Sequence, residues 1–109
     1  MEVGLAKLGK SMNPLFRHTI VYYNADNIHI YGPDEDVPWP RQSQRRDFEL
    51  EWACVIGKAR ANVSEANAAE HIFGVTIFHD WSARDLQFPF MDCGLGPAGG
   101  KDFASSIGP

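Results

Sequence analysis

The chain has 109 residues, 44% hydrophobic and 22% charged, with a formal net charge of −4. That is enough for one small globular domain, and the acidic balance argues against the basic surface that nucleic acid or an anionic membrane requires. No apolar run comes near the roughly 18 residues of a membrane span, and the opening MEVGLAKLGKSMNP lacks the apolar core of a signal peptide.

Residues 1–18 carry no clear period and read as an irregular N-terminal segment. Thr19-Ile-Val-Tyr-Tyr23 is β-branched and aromatic and predicts a strand. Asn24–Asn27 is turn chemistry, and Ile28–Tyr31 alternates as a second short strand. Gly32–Asp36 reads as a loop, and the prolines of Val37-Pro-Trp-Pro40 confine it to an edge or an extended segment. Arg41, Arg45 and Arg46 are followed at once by Asp47, Glu49 and Glu51, so this basic cluster reads as a solvated loop. Residues 47–57 give the strongest strand signal, with apolar residues after the glutamates on both faces. Both faces are therefore expected to be buried there, Cys54 as a buried thiol. Ser64 and Glu65 open a helix that runs through Ile72 and Phe73 to a Gly74 C-cap. Val75–His79 follows as a strand and Asp80–Gln87 as a single helical turn. Residues 88–100, rich in glycine and proline, predict a long loop of the functional kind, Cys93 within it. Residues 101–107 open another strand. The fold class is mainly β with one or two short helices, α+β. Two cysteines without CxxC spacing suit a reducing, cytoplasmic compartment rather than a disulfide or zinc scaffold.

Glu49, Glu51 and Asp80 are the informative residues. Side chains alternate along a strand, so Glu49 and Glu51 share a face. An E-x-E pair is more often a stripe facing solvent, but the strand here is otherwise apolar. Two like charges side by side on such a strand need a positive partner. With Asp80 closing another strand, three carboxylates would form a hard oxygen site suited to magnesium, calcium or manganese. His79 points away from Asp80 if the strand runs through both.

Phe48-Glu-Leu-Glu51, Val55-Ile-Gly-Lys58, the run from His71 through Asp80-Trp-Ser-Ala-Arg-Asp-Leu-Gln87, and Gly99-Gly-Lys-Asp-Phe103 resemble the fumarylacetoacetate hydrolase family. The resemblance runs from about residue 20 to the end, over a partial catalytic domain assigned to residues 19–109. It implies a mixed β-roll or barrel, often a homodimer, with a divalent cation, usually magnesium or manganese, and calcium is a further candidate for the site. By match, Glu49, Glu51 and Asp80 are metal ligands, Lys101 is the active-site lysine, and Arg84 and Gln87 line the substrate site. The implied activity is hydrolysis of C–C bonds in diketo acids such as fumarylacetoacetate and acylpyruvates. Relatives isomerise, decarboxylate or hydrate similar 2-oxo or 2-hydroxy-dienoic acids. Arg84 has a second reading, as a structural salt bridge.

Hydrolysis also needs a base to activate water. The family's His–Glu pair has no counterpart here: His18 lacks a glutamate three or four residues on and precedes a strand, and His29 lies mid-strand. The strands that would close a barrel are also not in the sequence. The chain is therefore expected to be a fragment, and an inactive remnant that keeps the metal-binding core is the alternative to an enzyme. A β-rich interaction module with an incidental acidic pair is a further alternative, which the family strings disfavour.

Overall fold

The computed structural model describes residue 9 and residues 11–109. Its elements are β1 (Ile30–Tyr31), β2 (Arg46–Ile56), β3 (Ile72–Ala83), the helix α1 (Arg84–Asp92) and β4 (Ser105–Ile107). Single 3₁₀ segments lie at Pro14–Arg17, Glu65–His71 and Ala98–Gly100. The strands form one mixed sheet in the order β1-β4-β3-β2, with β1 parallel to β4 and the other pairs antiparallel. The mainly β, α+β class is as the sequence predicts. No helix among the described residues is long and apolar enough to cross a membrane.

β2 and β3 are the backbone of the structure. Eleven residues of β2 pair with β3, from Arg46↔Ala83 to Ile56↔Ile72, with one bulge at Val55/Ile56. This pairing explains the largest departures from the sequence-based elements. The expected helix over 64–73 is a 3₁₀ segment, and Ser64 makes no side-chain cap bond there. Ile72, Phe73 and Gly74 join β3 instead, because β2 offers them a ladder and β-branched and aromatic residues fit it. Gly74 thus faces Val55 in mid-strand rather than capping a helix. At its other end β3 runs on through Asp80 to Ala83.

α1 starts only at Arg84 and continues through Pro89 to Asp92, into the stretch expected to be loop. Gly94 and Gly96 then turn the chain with φ of 76° and 72°, a conformation glycine adopts without steric cost. The strand expected at 19–23 is not formed. Ile20 and Tyr22 are 85% and 77% exposed and have no ladder partner, so their β propensity goes unused. Of the irregular segment 1–18, residues 1–8 and 10 lie outside the described residues. The rest holds the short turn at Pro14–Arg17, capped by Asn13.

The radius of gyration is 16.0 Å, against about 13 Å for a compact domain of this length. With extents of 43 × 39 × 22 Å the molecule is a slab, one sheet thick for most of its area. Ala83 and Ala104 are the buried apolar residues; the other buried side chains described are polar, including Asp80, Ser82, Gln87 and Lys101. The expectation that both faces of β2 are buried is therefore wrong. Leu50, Trp52 and Ile56 are 66%, 78% and 60% exposed, and Cys54 is exposed as well. The register puts them on one face with Val75 and Ile77, which are 58% and 51% exposed.

Candidate metal and active site

The antiparallel register sets Glu49 directly opposite Asp80, with Glu51 one pleat further along the same face. An oxygen from each of the three carboxylates lies within 4.8 Å of the others. Among the described residues this is the one such group of His, Cys, Asp and Glu. Asp80 is buried, Glu49 half-buried and Glu51 exposed. His79 is on the opposite face, its ring 5.1 Å from that of Phe48 and 5.6 Å from that of Trp81.

The positive partner demanded by these charges is Lys101. It is 5% exposed, and its Nζ lies 2.8 Å from both Glu49 Oε1 and Asp80 Oδ2. A lysine this deep is tolerated only when it is paired. Two glycines seat it. A Cβ on Gly100 would sit 2.5 Å from the backbone of Gln87, and one on Gly99 would sit 2.3 Å from the Phe90 ring. The chain can therefore approach α1 closely enough to aim Lys101 at the carboxylates only with glycine at 100. Behind the lysine, Phe103 meets the Trp39 ring edge-on at 4.8 Å.

Arg84, at the start of α1, completes the network. Its Nη1 donates to Glu49 Oε1 and to Gln87 Oε1, and its Nε to Asp47 Oδ2, each at 2.8 Å. The guanidinium thus makes the salt bridge that was its second reading, while remaining beside the carboxylates with Gln87. Asp85, next to it, accepts from Ser43 Oγ at 2.5 Å and from the backbone N–H groups of Gln44 and Arg45 at 2.7 and 3.1 Å. This ties the entry of β2 to the first turn of α1.

Two members of the network were not singled out from sequence. Asp47 shares the glutamates' face by the same alternation, so its signal was available. Tyr23 had none, because nothing local places its segment over the sheet. Its hydroxyl donates to Asp80 Oδ2 at 2.6 Å across 57 positions of sequence.

These contacts divide the carboxylates. Burial raises the cost of charge on Glu49, but hydrogen bonds from Lys101 and Arg84 outweigh it and hold the carboxyl below its ordinary value. Glu51 is pushed above its ordinary value, first by burial and then by the charges of Asp80 and Glu49. Burial, the bond to Asp80 and the nearby carboxylates raise the Tyr23 phenol. The donors fall on Glu49 Oε1 and Asp80 Oδ2. Among the described residues no hydrogen bond reaches Glu49 Oε2, Asp80 Oδ1 or Glu51. Three carboxylates with uncommitted oxygens on one face are a hard donor set for a divalent cation. A cavity of about 470 Å³ lies elsewhere, on the apolar face beside Leu50, Ile77, His79 and Trp81.

A sequence model described as fumarylacetoacetate (FAA) hydrolase C-terminal matches residues 2–109. The chain belongs to the fumarylacetoacetate hydrolase family. The match begins ahead of residue 20, where the resemblance read from the sequence starts. The chain is 37% identical to the fumarylacetoacetase of Arabidopsis thaliana over 116 positions, covering 91% of this chain and 27% of that protein. It is 42% identical over 67 residues to a mitochondrial oxaloacetate tautomerase of Xenopus laevis, covering 62% of this chain and 21% of that protein. The crystal structure of fumarylpyruvate hydrolase from Pseudomonas aeruginosa, in complex with Mn²⁺ and pyruvate, superposes with a TM-score of 0.62 at 27% identity. That superposition covers 73% of this chain and 36% of the hydrolase. The chain thus spans between about a fifth and about a third of these three relatives.

Proposed function

We propose that Glu49, Glu51 and Asp80 hold a divalent cation, Mg²⁺ or Mn²⁺ with Ca²⁺ as a further candidate. In this reading the site works on a small diketo acid, as a hydrolase of C–C bonds. The observation that carries the reading is the cluster of three carboxylate oxygens within 4.8 Å, with buried Lys101 bridging two of the carboxylates. A bound cation would supply a Lewis acid for the two oxygens of a 1,3-diketone or 2-oxo acid. Lys101 holds an ammonium where negative charge builds on those oxygens as the C–C bond weakens. Arg84 presents a guanidinium suited to a substrate carboxylate, and Gln87 fixes its orientation through the bond to Nη1. The named ligands of the Pseudomonas aeruginosa hydrolase, Mn²⁺ and pyruvate, support this chemistry.

A second reading is tautomerisation or isomerisation of a 2-oxo acid, which the Xenopus laevis relative supports. It needs the same charge stabilisation but no attacking water. Exposed, unpaired Cys54 and Cys93 support a reducing, cytoplasmic setting. A homodimer belongs to the same reading, and light scattering on the eluted protein checks it.

The decisive experiment starts with Mn²⁺ titration followed by tryptophan fluorescence, since Trp52 and Trp81 adjoin Glu51 and Asp80. The signal should change in the wild type and stay flat in Asp80→Ala. Loss of diketone absorbance from acylpyruvates would then identify the hydrolase, and oxaloacetate keto–enol exchange without cleavage would identify the tautomerase. A chain that binds Mn²⁺ and turns over neither would be the inactive remnant. A wild type that ignores Mn²⁺ would sink the cation reading.

A further inference from the structure

Asp80 is the most buried of the three carboxylates, and its Oδ2 accepts two hydrogen bonds. One comes from the Lys101 ammonium at 2.8 Å, the other from the Tyr23 hydroxyl at 2.6 Å. The two donors differ in kind. Lys101 divides its ammonium between Asp80 Oδ2 and Glu49 Oε1, and it brings a positive charge to two of the carboxylates that would hold a cation. Tyr23 spends its one donor on Asp80 and adds no charge. It also reaches Asp80 from residues 20–26, which have no regular secondary structure and no ladder to the sheet. A carboxylate free to turn about its Cβ–Cγ bond exchanges its two oxygens. Two donors converging on Oδ2 hold it still and leave Oδ1 as the oxygen without a donor among the described residues.

We propose that Tyr23 is a positioning residue for the cation site: its hydroxyl pins Asp80 Oδ2 so that Oδ1 is presented beside the oxygens of Glu49 and Glu51. The inference rests on the cation reading of the site and deepens it. It differs from a tether role. A tether would use the ring and the hydroxyl only to hold residues 20–26 against the sheet, and its loss would change stability without changing the affinity of the carboxylates for an ion. Loss of a partner that orients a metal ligand typically weakens metal binding about 10–100-fold.

The test measures Mn²⁺ binding to the full chain by the loss of the free-ion paramagnetic resonance signal, in parallel with the urea unfolding midpoint of the metal-free protein. Tyr23→Phe removes the hydroxyl and keeps the ring. It should raise the Mn²⁺ dissociation constant about tenfold or more, while the unfolding midpoint moves little. Tyr23→Ala removes the ring too and should weaken Mn²⁺ binding by about as much as Tyr23→Phe. If Tyr23→Phe binds Mn²⁺ as tightly as the wild type, the inference is overturned, and still more so if Tyr23→Ala alone is weakened. If the wild type leaves Mn²⁺ free, or Asp80→Asn binds it undiminished, the cation reading itself falls.

Discussion

The two faces of the β2–β3 ribbon share one register and one pair of strands, yet they are held in opposite ways. One face carries Asp47, Glu49 and Glu51 opposite Ser82, Asp80 and Phe78; the other carries Phe48, Leu50, Trp52 and Cys54 opposite Trp81, His79, Ile77 and Val75. Composition alone would bury the second face and expose the first. The structure instead places Asp80, Ser82 and Lys101 among its least exposed residues and leaves Trp52 78% exposed. Order at the acidic face comes from the ladder together with converging ionic and hydrogen-bonding partners: Lys101, Arg84 and Tyr23. Apolar burial contributes little there, since the fully buried apolar side chains described, Ala83 and Ala104, are methyl groups.

If ion pairing organises the acidic face, removing its most buried cation should have the largest effect. Lys101→Met leaves the buried Asp80 carboxylate without its ammonium, and breaking such a pair costs about 3–5 kcal/mol. Urea denaturation should show a loss of that size, and a loss below about 1 kcal/mol would mean the face is held by something else. Gly100→Ala should come next. Its Cβ would press on the Gln87 backbone at 2.5 Å, which cannot yield as a flexible side chain would. Overpacking of this kind costs about 1–3 kcal/mol, and the Lys101 seat should shift with it, so Mn²⁺ binding should change in the same variant. An unfolding midpoint equal to that of the wild type would show that α1 can back away.

The sequence made the acidic face legible for a simple reason. Alternation along a strand puts Glu49 and Glu51 together, and Asp80 needed only to lie across from them. The pairing Glu49↔Asp80 itself was not readable, because register depends on where β3 begins, and Ile72–Gly74 read as the end of a helix. The short-range helix signals at Ser64 and Ala66–Glu70 gave only a 3₁₀ segment, and the ladder that takes Ile72–Gly74 exists only once β2 is in place. Pro89 and the glycines after it hid the length of α1. Tyr23 was invisible because its contact spans 57 positions and belongs to no motif. The exposure of Leu50, Trp52 and Ile56 could not be read either, since an apolar residue carries no mark of whether a second layer covers it.

A third change tests the seam that ties the acidic face to α1. The Ser43 hydroxyl, then the backbone N–H groups of Gln44 and Arg45, hold the Asp85 carboxyl below its ordinary value. A carboxyl depressed by folding stabilises the fold above its unfolded pKa of about 3.9. That contribution is lost as the pH falls through the lower folded value. The wild type should therefore lose stability on acidification below about pH 4, and Asp85→Asn should lack that component of the loss. Equal acid profiles for the two proteins would show that these hydrogen bonds do not favour the charged form.

The smallest effect is expected on the apolar face, and it is the one that tests the comparison from the other side. Trp52 is 78% exposed, so Trp52→Ala should move the unfolding free energy by no more than about 0.5 kcal/mol. A tryptophan packed on all sides would instead cost about 3–5 kcal/mol when cut to alanine. A loss of that size would mean the face is covered in solution, and its dependence on protein concentration would say by what. A midpoint that rises with concentration in the wild type, and no longer does so in Trp52→Ala, would identify a second copy of the chain as the cover. The apolar face would then be an interface, and the contrast with the acidic face would be one of timing: ions organise one face within the chain, and apolar contact organises the other only on association.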